Sequence, residues 1–277
     1  MSEILPHIAR YSLYRSLAAT TEYQLGRTVR LFGEWLGRPA KLLDLEDDQV
    51  SRWLQHLELT YAQRTVLSHR TNLLMVWRDC FRAGLVEGPR RVRRVRKPDP
   101  CPTAWTIPEL RAVLRRCRAL VGYFPDGTPR ALYCESLVCA VYDSGLRRSD
   151  IWRIRRSQIT PTGAVVLRQH KTGHSHYPQL RPRTLALVLR LERDPVLKCP
   201  FANESNWYVW WRDNVTAIAG VRHGAMQQLR RTGATQLDIE HPEAVSDYLG
   251  HRTPDMRKYY VDRSISTRNR QMPPDVA

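Results

Sequence analysis

The sequence predicts a mainly α-helical chain of two domains with one small β-hairpin. Three features carry that reading. Apolar residues recur at helical spacing through most of the chain, a proline- and arginine-rich stretch interrupts them at 88–105, and one strand-like run, Val165-Val166-Leu167, leads into a turn. At 277 residues there is room for two ordinary domains.

The first domain is placed at residues 1–87. Leu25, Val29, Phe32 and Leu36 share one helix face, and Val50, Trp53, Leu54 and Leu57 share another. Asp47 is the expected N-cap of the second of these, because a short acceptor side chain satisfies the free N–H groups of a first turn. A further helix from about Ala62 to Ala83 carries Val66, Leu73, Leu74, Trp77 and Phe81 on one side and stops at Gly84, since glycine tolerates the left-handed conformation. Trp53, Trp77 and Phe81 are read as core. Residues 88–105 form a linker: four prolines and a leading glycine predict an extended, semi-rigid strap. Arg90, Arg91, Arg93, Arg94, Arg96 and Lys97 line it.

The second domain is placed at 106–263, followed by a tail at 264–277. Thr106 and Glu109 have capping-box spacing, with Pro108 in the first turn. Leu110, Val113, Leu114 and Cys117 then give a buried face. Leu137, Val138 and Val141 mark an apolar helix that breaks at Ser144-Gly145 and delivers Arg147 and Arg148 on the turn. Ser149 is the expected N-cap of a helix through Ile154, with Asp150 in the first turn, where an acid suits the helix dipole and can brace Arg147. Val165–Leu180 reads as a hairpin with Lys171-Thr172-Gly173 at its tip. Trp207, Trp211, Val215 and Ile218 form another core stripe, with Arg212 or Trp210 toward a nucleic acid. Gln227 and Arg230 lie one turn apart on one helix face and can address one anion. Leu249-Gly250 ends the next short helix and puts His251 at a bend, and Tyr260 follows nine residues later.

Charge narrows the function. Lysine and arginine number 44 against 27 acids, a net charge of +17. Residues 1–88 are nearly balanced, so the excess sits in the linker and the second domain, the footprint of a nucleic-acid binder. The six cysteines form no C-x-x-C pair and no zinc-spaced cluster with histidine, as expected of reduced thiols in a cytoplasmic protein. No apolar run reaches the ~20 residues of a membrane span, and no signal-peptide core opens the chain. A tyrosine brought together with arginine forks suits phosphodiester chemistry, with the phenol as nucleophile and guanidinium groups on the non-bridging oxygens.

Four stretches in order, Ser144-Gly145-Leu146-Arg147-Arg148-Ser149-Asp150, Gln169-His170-Lys171-Thr172-Gly173, Gln227-Gln228-Leu229-Arg230 and Leu249-Gly250-His251 with Tyr260, resemble the boxes of the tyrosine recombinase (phage integrase) family. The resemblance implies an N-terminal helical core-binding (SAM-like) domain and a catalytic domain that close on double-stranded DNA as a clamp. It implies that Tyr260 forms a 3′-phosphotyrosyl link, that Arg147 and Arg230 hold the phosphate, that Lys171 protonates the leaving 5′ oxygen and that His251 assists. It selects Arg147 over Arg148 for the pocket, leaves Arg148 and the linker arginines on DNA, and selects Tyr260 over its neighbour Tyr259 by register. No cofactor is implied, neither metal nor ATP. The chain departs from the pattern at Gln227, where the family usually has histidine; glutamine hydrogen-bonds but does not titrate. His223, one turn earlier, either compensates or, the favoured reading, caps a helix or sits on the surface. The expected assembly is a homotetramer on two duplexes that passes through a Holliday junction, with the tail packing on a neighbouring protomer. A non-catalytic DNA-binding protein on the same scaffold and a type IB topoisomerase-like nicking and rejoining enzyme are the alternatives.

Overall fold

The structure, a computed structural model, describes residues 2–251 and 254–266. The expected trans packing of the tail, including Met272-Pro273-Pro274, lies outside the described residues. The chain divides into two compact units, Met1–Asp99 and Pro100–Ala277.

Among the described residues the first unit holds the α-helices α1 (Leu5–Arg15), α2 (Ala19–Leu36), α3 (Asp47–Glu58) and α4 (Gln63–Arg82). α1 packs on α2 and α4, and α3 packs on α4. Leu25, Val29, Phe32, Trp53, Leu73 and Trp77 fill the core, and Gly84 ends α4 with a positive φ of 70°. Three expectations change. α1 was not foreseen, because only Ile8 and Tyr11 on it are buried. Phe81 is 52 % exposed; Cys80 takes the inward position, and the Phe81 ring instead stands over Gly88. Asp47 is the first residue of α3 and not its cap. Its carboxylate accepts the backbone N–H groups of Arg90 and Arg91, at 3.1 and 2.8 Å.

That contact fastens the first part of the linker. Arg93 N–H donates to Ser51 Oγ at 2.9 Å, and Val95 is buried in the same core. The last part belongs to the second unit: Trp105 is buried, its backbone N–H bonded to Thr232 Oγ1 at 3.0 Å and its indole N–H to the Arg222 carbonyl at 3.0 Å.

The second unit contains α5 (Ile107–Arg118), α6 (Arg130–Ser144), α7 (Arg148–Ile151), β1 (Leu167–Arg168), β2 (Ser175–His176), α8 (Pro182–Leu189), α9 (Glu204–Trp211), α10 (Met226–Glu240), α11 (Val245–Tyr248) and α12 (Arg263–Ser266). The Thr106–Glu109 capping box starts α5 as expected. The apolar α6 is central, packed by α5, α8 and α10. β1 and β2 pair antiparallel with Leu167 opposite His176. Ile218 leaves the expected stripe and is 58 % exposed. A π-type turn, Arg212–Thr216, follows α9 and adds one residue to the winding, which rotates later positions off the core face. Arg212 pairs with its neighbour Asp213 at 2.7 Å, and Trp210 packs on Phe124 with ring centres 4.6 Å apart.

Candidate active site

Two glycine turns and one helix build the site. α6 ends at Gly145, whose φ of 59° turns the chain so that Arg147 stands at the start of α7. A side chain at Gly145 would meet the Tyr248 ring at 2.7 Å, so glycine is required twice over. α7 begins at Arg148 because the Arg147 carbonyl already accepts the N–H groups of Asp150 and Ile151, which leaves Ser149 inside the turn and not at its cap. α11 ends at Gly250, φ 59°, with the His251 N–H closing back on the Ser246 carbonyl at 2.9 Å. Between these turns runs α10. It presents Gln227, exposed, in an otherwise buried first turn and Arg230, fully buried, one turn on.

Arg230 ties the pieces together. One terminal nitrogen donates to the Gly145 carbonyl; the other donates to the Leu249 carbonyl at 2.8 Å and lies 3.2 Å from His251 Nε2. Its Nε is buried without a hydrogen-bond partner among the described residues. Burial, with Arg147 nearby, lowers its pKa to about 10, so it remains charged at neutral pH. Because Arg230 donates, His251 Nε2 must accept, which places the His251 proton on Nδ1. Burial first, then the charges of Arg230, Arg147 and His176, pushes the His251 pKa down to about 4. This histidine is a neutral hydrogen-bonding group across the physiological range.

Tyr260 closes the pocket. Its ring centre lies 4.8 Å from the Arg230 guanidinium carbon and 4.9 Å from the His251 ring centre. Burial raises a phenol's pKa, yet here the charges of Arg230 and Arg147, with hydrogen bonding from Arg230 and Gln227, outweigh it and leave the phenol below its ordinary value. Tyr259 instead turns its ring toward Lys258, 5.8 Å away. His223 stays outside, with Nδ1 3.2 Å from Thr216 Oγ1.

Arg147 is half-buried, and its Nη1 donates to Gln169 Oε1 at 2.8 Å. Asp150 does not brace it: the buried carboxylate accepts the His170 backbone N–H at 2.8 Å and so anchors the hairpin beside α7. Lys171 stands exposed at the hairpin tip and makes no hydrogen bond or ion pair among the described residues. The structure therefore brings Arg147, Gln227, Arg230, His251 and Tyr260 together and leaves Lys171 on the segment beside them. Gln169 and His176, both buried, belong to this site without having been singled out by the sequence. Gln169 lay inside a motif, but its role depends on where the hairpin folds. His176 was signalled only by strand alternation across from Leu167.

Arg148 is exposed as expected, paired with Glu204 at 3.0 Å and lying over the Trp152 and Tyr208 rings. In the linker, Arg93 pairs with Glu58 at 2.8 Å and Arg90 with Glu87 at 3.0 Å. Arg91, Arg94, Arg96 and Lys97 are also exposed. Among the described residues no cluster of three or more histidine, cysteine or acidic side chains has metal-binding geometry, and no described helix is long and apolar enough to cross a membrane.

Solved structures share the fold of this chain. A lambda integrase dimer bound to a COC′ core site is similar over 100 % of this chain and 81 % of that one, with a TM-score of 0.73 at 14 % identity. The XerH site-specific recombinase, in a post-cleavage complex with palindromic difH substrate, is similar over 89 % and 77 %, TM-score 0.71, 14 % identity. The Tn1549 transposon integrase with circular intermediate DNA is similar over 94 % and 95 %, TM-score 0.68, 13 % identity. No family model and no curated protein sequence matches. The chain has the fold of the tyrosine recombinases, as its motif order implied.

Proposed function

We propose that this protein is a site-specific DNA recombinase that breaks and rejoins strands through a 3′-phosphotyrosyl intermediate. The observation that carries the reading is the placement of the Tyr260 phenol against Arg230 and His251, within the field of Arg147.

In the mechanism, Tyr260 Oη releases its proton to solvent, a loss that the charges of Arg230 and Arg147 favour, and attacks the scissile phosphorus; the bond to the 5′ oxygen breaks, and that oxygen takes up a proton and leaves as a free 5′ hydroxyl. Arg147 and Arg230 take the non-bridging oxygens and offset the charge that grows in the pentavalent transition state, each worth about 3–4 kcal/mol as a preorganised donor. The unpartnered, buried Nε of Arg230 supports this role, because a buried N–H without an acceptor is costly unless an anion supplies one. His251, neutral, donates from Nδ1 to the phosphate. Gln227 holds the phenol oxygen by hydrogen bonding, a part that needs no titration and so accommodates the departure from histidine. Lys171 delivers the proton to the 5′ oxygen from the hairpin tip. The energy of the phosphodiester is kept in the phosphotyrosyl bond, so rejoining needs neither ATP nor a metal ion.

The partner is double-stranded DNA, with the basic linker and Arg148 on phosphates and a homotetramer as the working assembly. A lambda integrase tetramer bound to a Holliday junction, similar over 99 % of this chain with a TM-score of 0.72, supports that assembly. A nicked suicide duplex carrying the cognate site tests the chemistry. Wild-type protein is expected to form a covalent adduct, and Tyr260→Phe to bind equally without one. Adducts that persist in Tyr260→Phe reject the assignment, and recombination between two sites separates strand exchange from nicking and rejoining alone.

A further inference from the structure

Gln169 is 1 % exposed, and its side chain makes three connections. Its oxygen accepts from Arg147 Nη1 at 2.8 Å and from Thr172 Oγ1 at 2.7 Å. Its Nε2 donates to the Gly250 carbonyl at 3.3 Å. Its backbone closes the hairpin tip, accepting from Gly173 N–H and donating to the His174 carbonyl, both at 2.8 Å. A neutral amide accepts twice through its oxygen and donates through its nitrogen without adding a charge. One buried group thus joins the turn of Arg147, the tip that carries Lys171 and the turn that carries His251. Lys171 makes no hydrogen bond or ion pair among the described residues, so its reach toward a substrate is set by the 169–174 turn, and Gln169 pins that turn at Thr172.

We propose that Gln169 is a positioning residue that sets Arg147 and the Lys171 tip as one unit. The proposal rests on the strand-cleavage reading above. A polar group that merely filled space under the hairpin would slow every substrate alike. A group that places the proton donor acts most where the leaving group needs a proton.

The test compares single-turnover adduct formation on two suicide duplexes, one with the natural 5′ bridging oxygen and one with sulfur in its place. The 5′ thiolate departs without a proton, so the second duplex bypasses Lys171, as a Lys171→Ala reference verifies. Gln169→Met is expected to slow cleavage of the oxygen duplex about 100-fold, the scale of an ångström-sized misplacement, and to slow the sulfur duplex at least tenfold less. Thr172→Val, at an exposed position where folding is not at stake, cuts only the tip's hydrogen bond and should slow the oxygen duplex selectively, about five- to tenfold. Equal slowing of both duplexes by Gln169→Met and Thr172→Val, or no slowing, overturns the proposal. If the wild type forms no Tyr260 adduct on either duplex, the cleavage reading itself falls and this one with it.

Discussion

The Arg230 guanidinium sits 4.8 Å from the centre of the Tyr260 ring while its terminal nitrogens are spent on the backbone carbonyls of Gly145 and Leu249. One side chain therefore serves the scaffold and the candidate nucleophile together. Arg230→Met keeps the volume and leaves two buried carbonyls without donors, each costing about 1–3 kcal/mol. A clear drop in Tm is expected, along with loss of cleavage. Arg230→Lys supplies one compact ammonium where a fork is needed, so cleavage should fall about 100-fold or more even where the Tm is partly recovered. Thermal unfolding and single-turnover adduct formation, measured on both variants, separate the two roles; a Met variant as stable as wild type contradicts the scaffold role.

This double use explains what was legible in the sequence. Amphipathic spacing gave the faces of α2, α3 and α4, because burial on one side is written into composition every three to four residues. The motif order gave Arg147, Arg230, His251 and Tyr260, since glycine turns at 145 and 250 are local and visible. What remained hidden was non-local. Nothing near Asp150 says that its carboxylate meets the His170 backbone, and nothing near Asp47 says that it meets the linker. Phe81 and Ile218 failed for a simpler reason: a helix face narrows near its end, and a π-type turn shifts the register.

The electrostatics of the pocket predict an asymmetric pH response. Tyr260 is held below the ordinary phenol value by Arg230 and Arg147 against the effect of burial, so the alkaline rise in cleavage rate should come before the ordinary tyrosine range near 10. Arg147→Gln should move that rise upward. His251, at about 4, is neutral between about pH 6 and 8, and no break near 6.5 is expected from it. A break near 6.5 that vanishes in His251→Gln contradicts this.

The same histidine predicts a stability slope. Its pKa is about 4 folded and 6.5 as an unperturbed side chain, so between these values the unfolded chain binds more protons. The stability it contributes is complete above pH 6.5 and is lost as pH falls through 4. His251→Gln should therefore show a shallower fall in Tm across that window than the wild type. An unchanged slope in a pH series of thermal melts removes His251 from the account.

Gly250 offers a test of the turn itself. Its φ is 59°, and an added Cβ would overlap Gln169 Nε2 and lie 3.0 Å from His176 Nδ1. Gly250→Ala should cost about 1–2 kcal/mol of backbone strain and also push Gln169 off its partners. Gly37→Ala is the control: φ is 69° there with nothing within 4 Å of the new carbon, so strain acts alone. Both variants should lose similar stability from strain, but only Gly250→Ala should lose cleavage, about 100-fold. Equal cleavage by the two variants on the suicide duplex argues against a built turn.

The linker supplies the last prediction. Arg93 is held by Glu58 at 2.8 Å, with their side chains 44 and 30 % exposed, whereas Arg91, Arg94 and Arg96 are exposed along the same segment. An arginine already paired releases fewer counterions on meeting a phosphate, because its charge is partly spent and its carboxylate must be displaced. The backbone bonds of Arg90, Arg91 and Arg93 to Asp47 and Ser51 keep the segment extended when side chains are changed, so the comparison isolates charge. Replacing Arg91, Arg94 or Arg96 by glutamine should reduce the slope of log K against log salt by about 0.9 each. Replacing Arg93 should reduce it by less, and Glu58→Gln should steepen it by freeing Arg93. Titration of the full chain against duplex DNA at several salt concentrations reads all of these slopes. A uniform effect across the four arginines means that the Arg93–Glu58 pair dissolves at no cost on DNA, and identical slopes for every variant mean that the linker does not track the backbone at all.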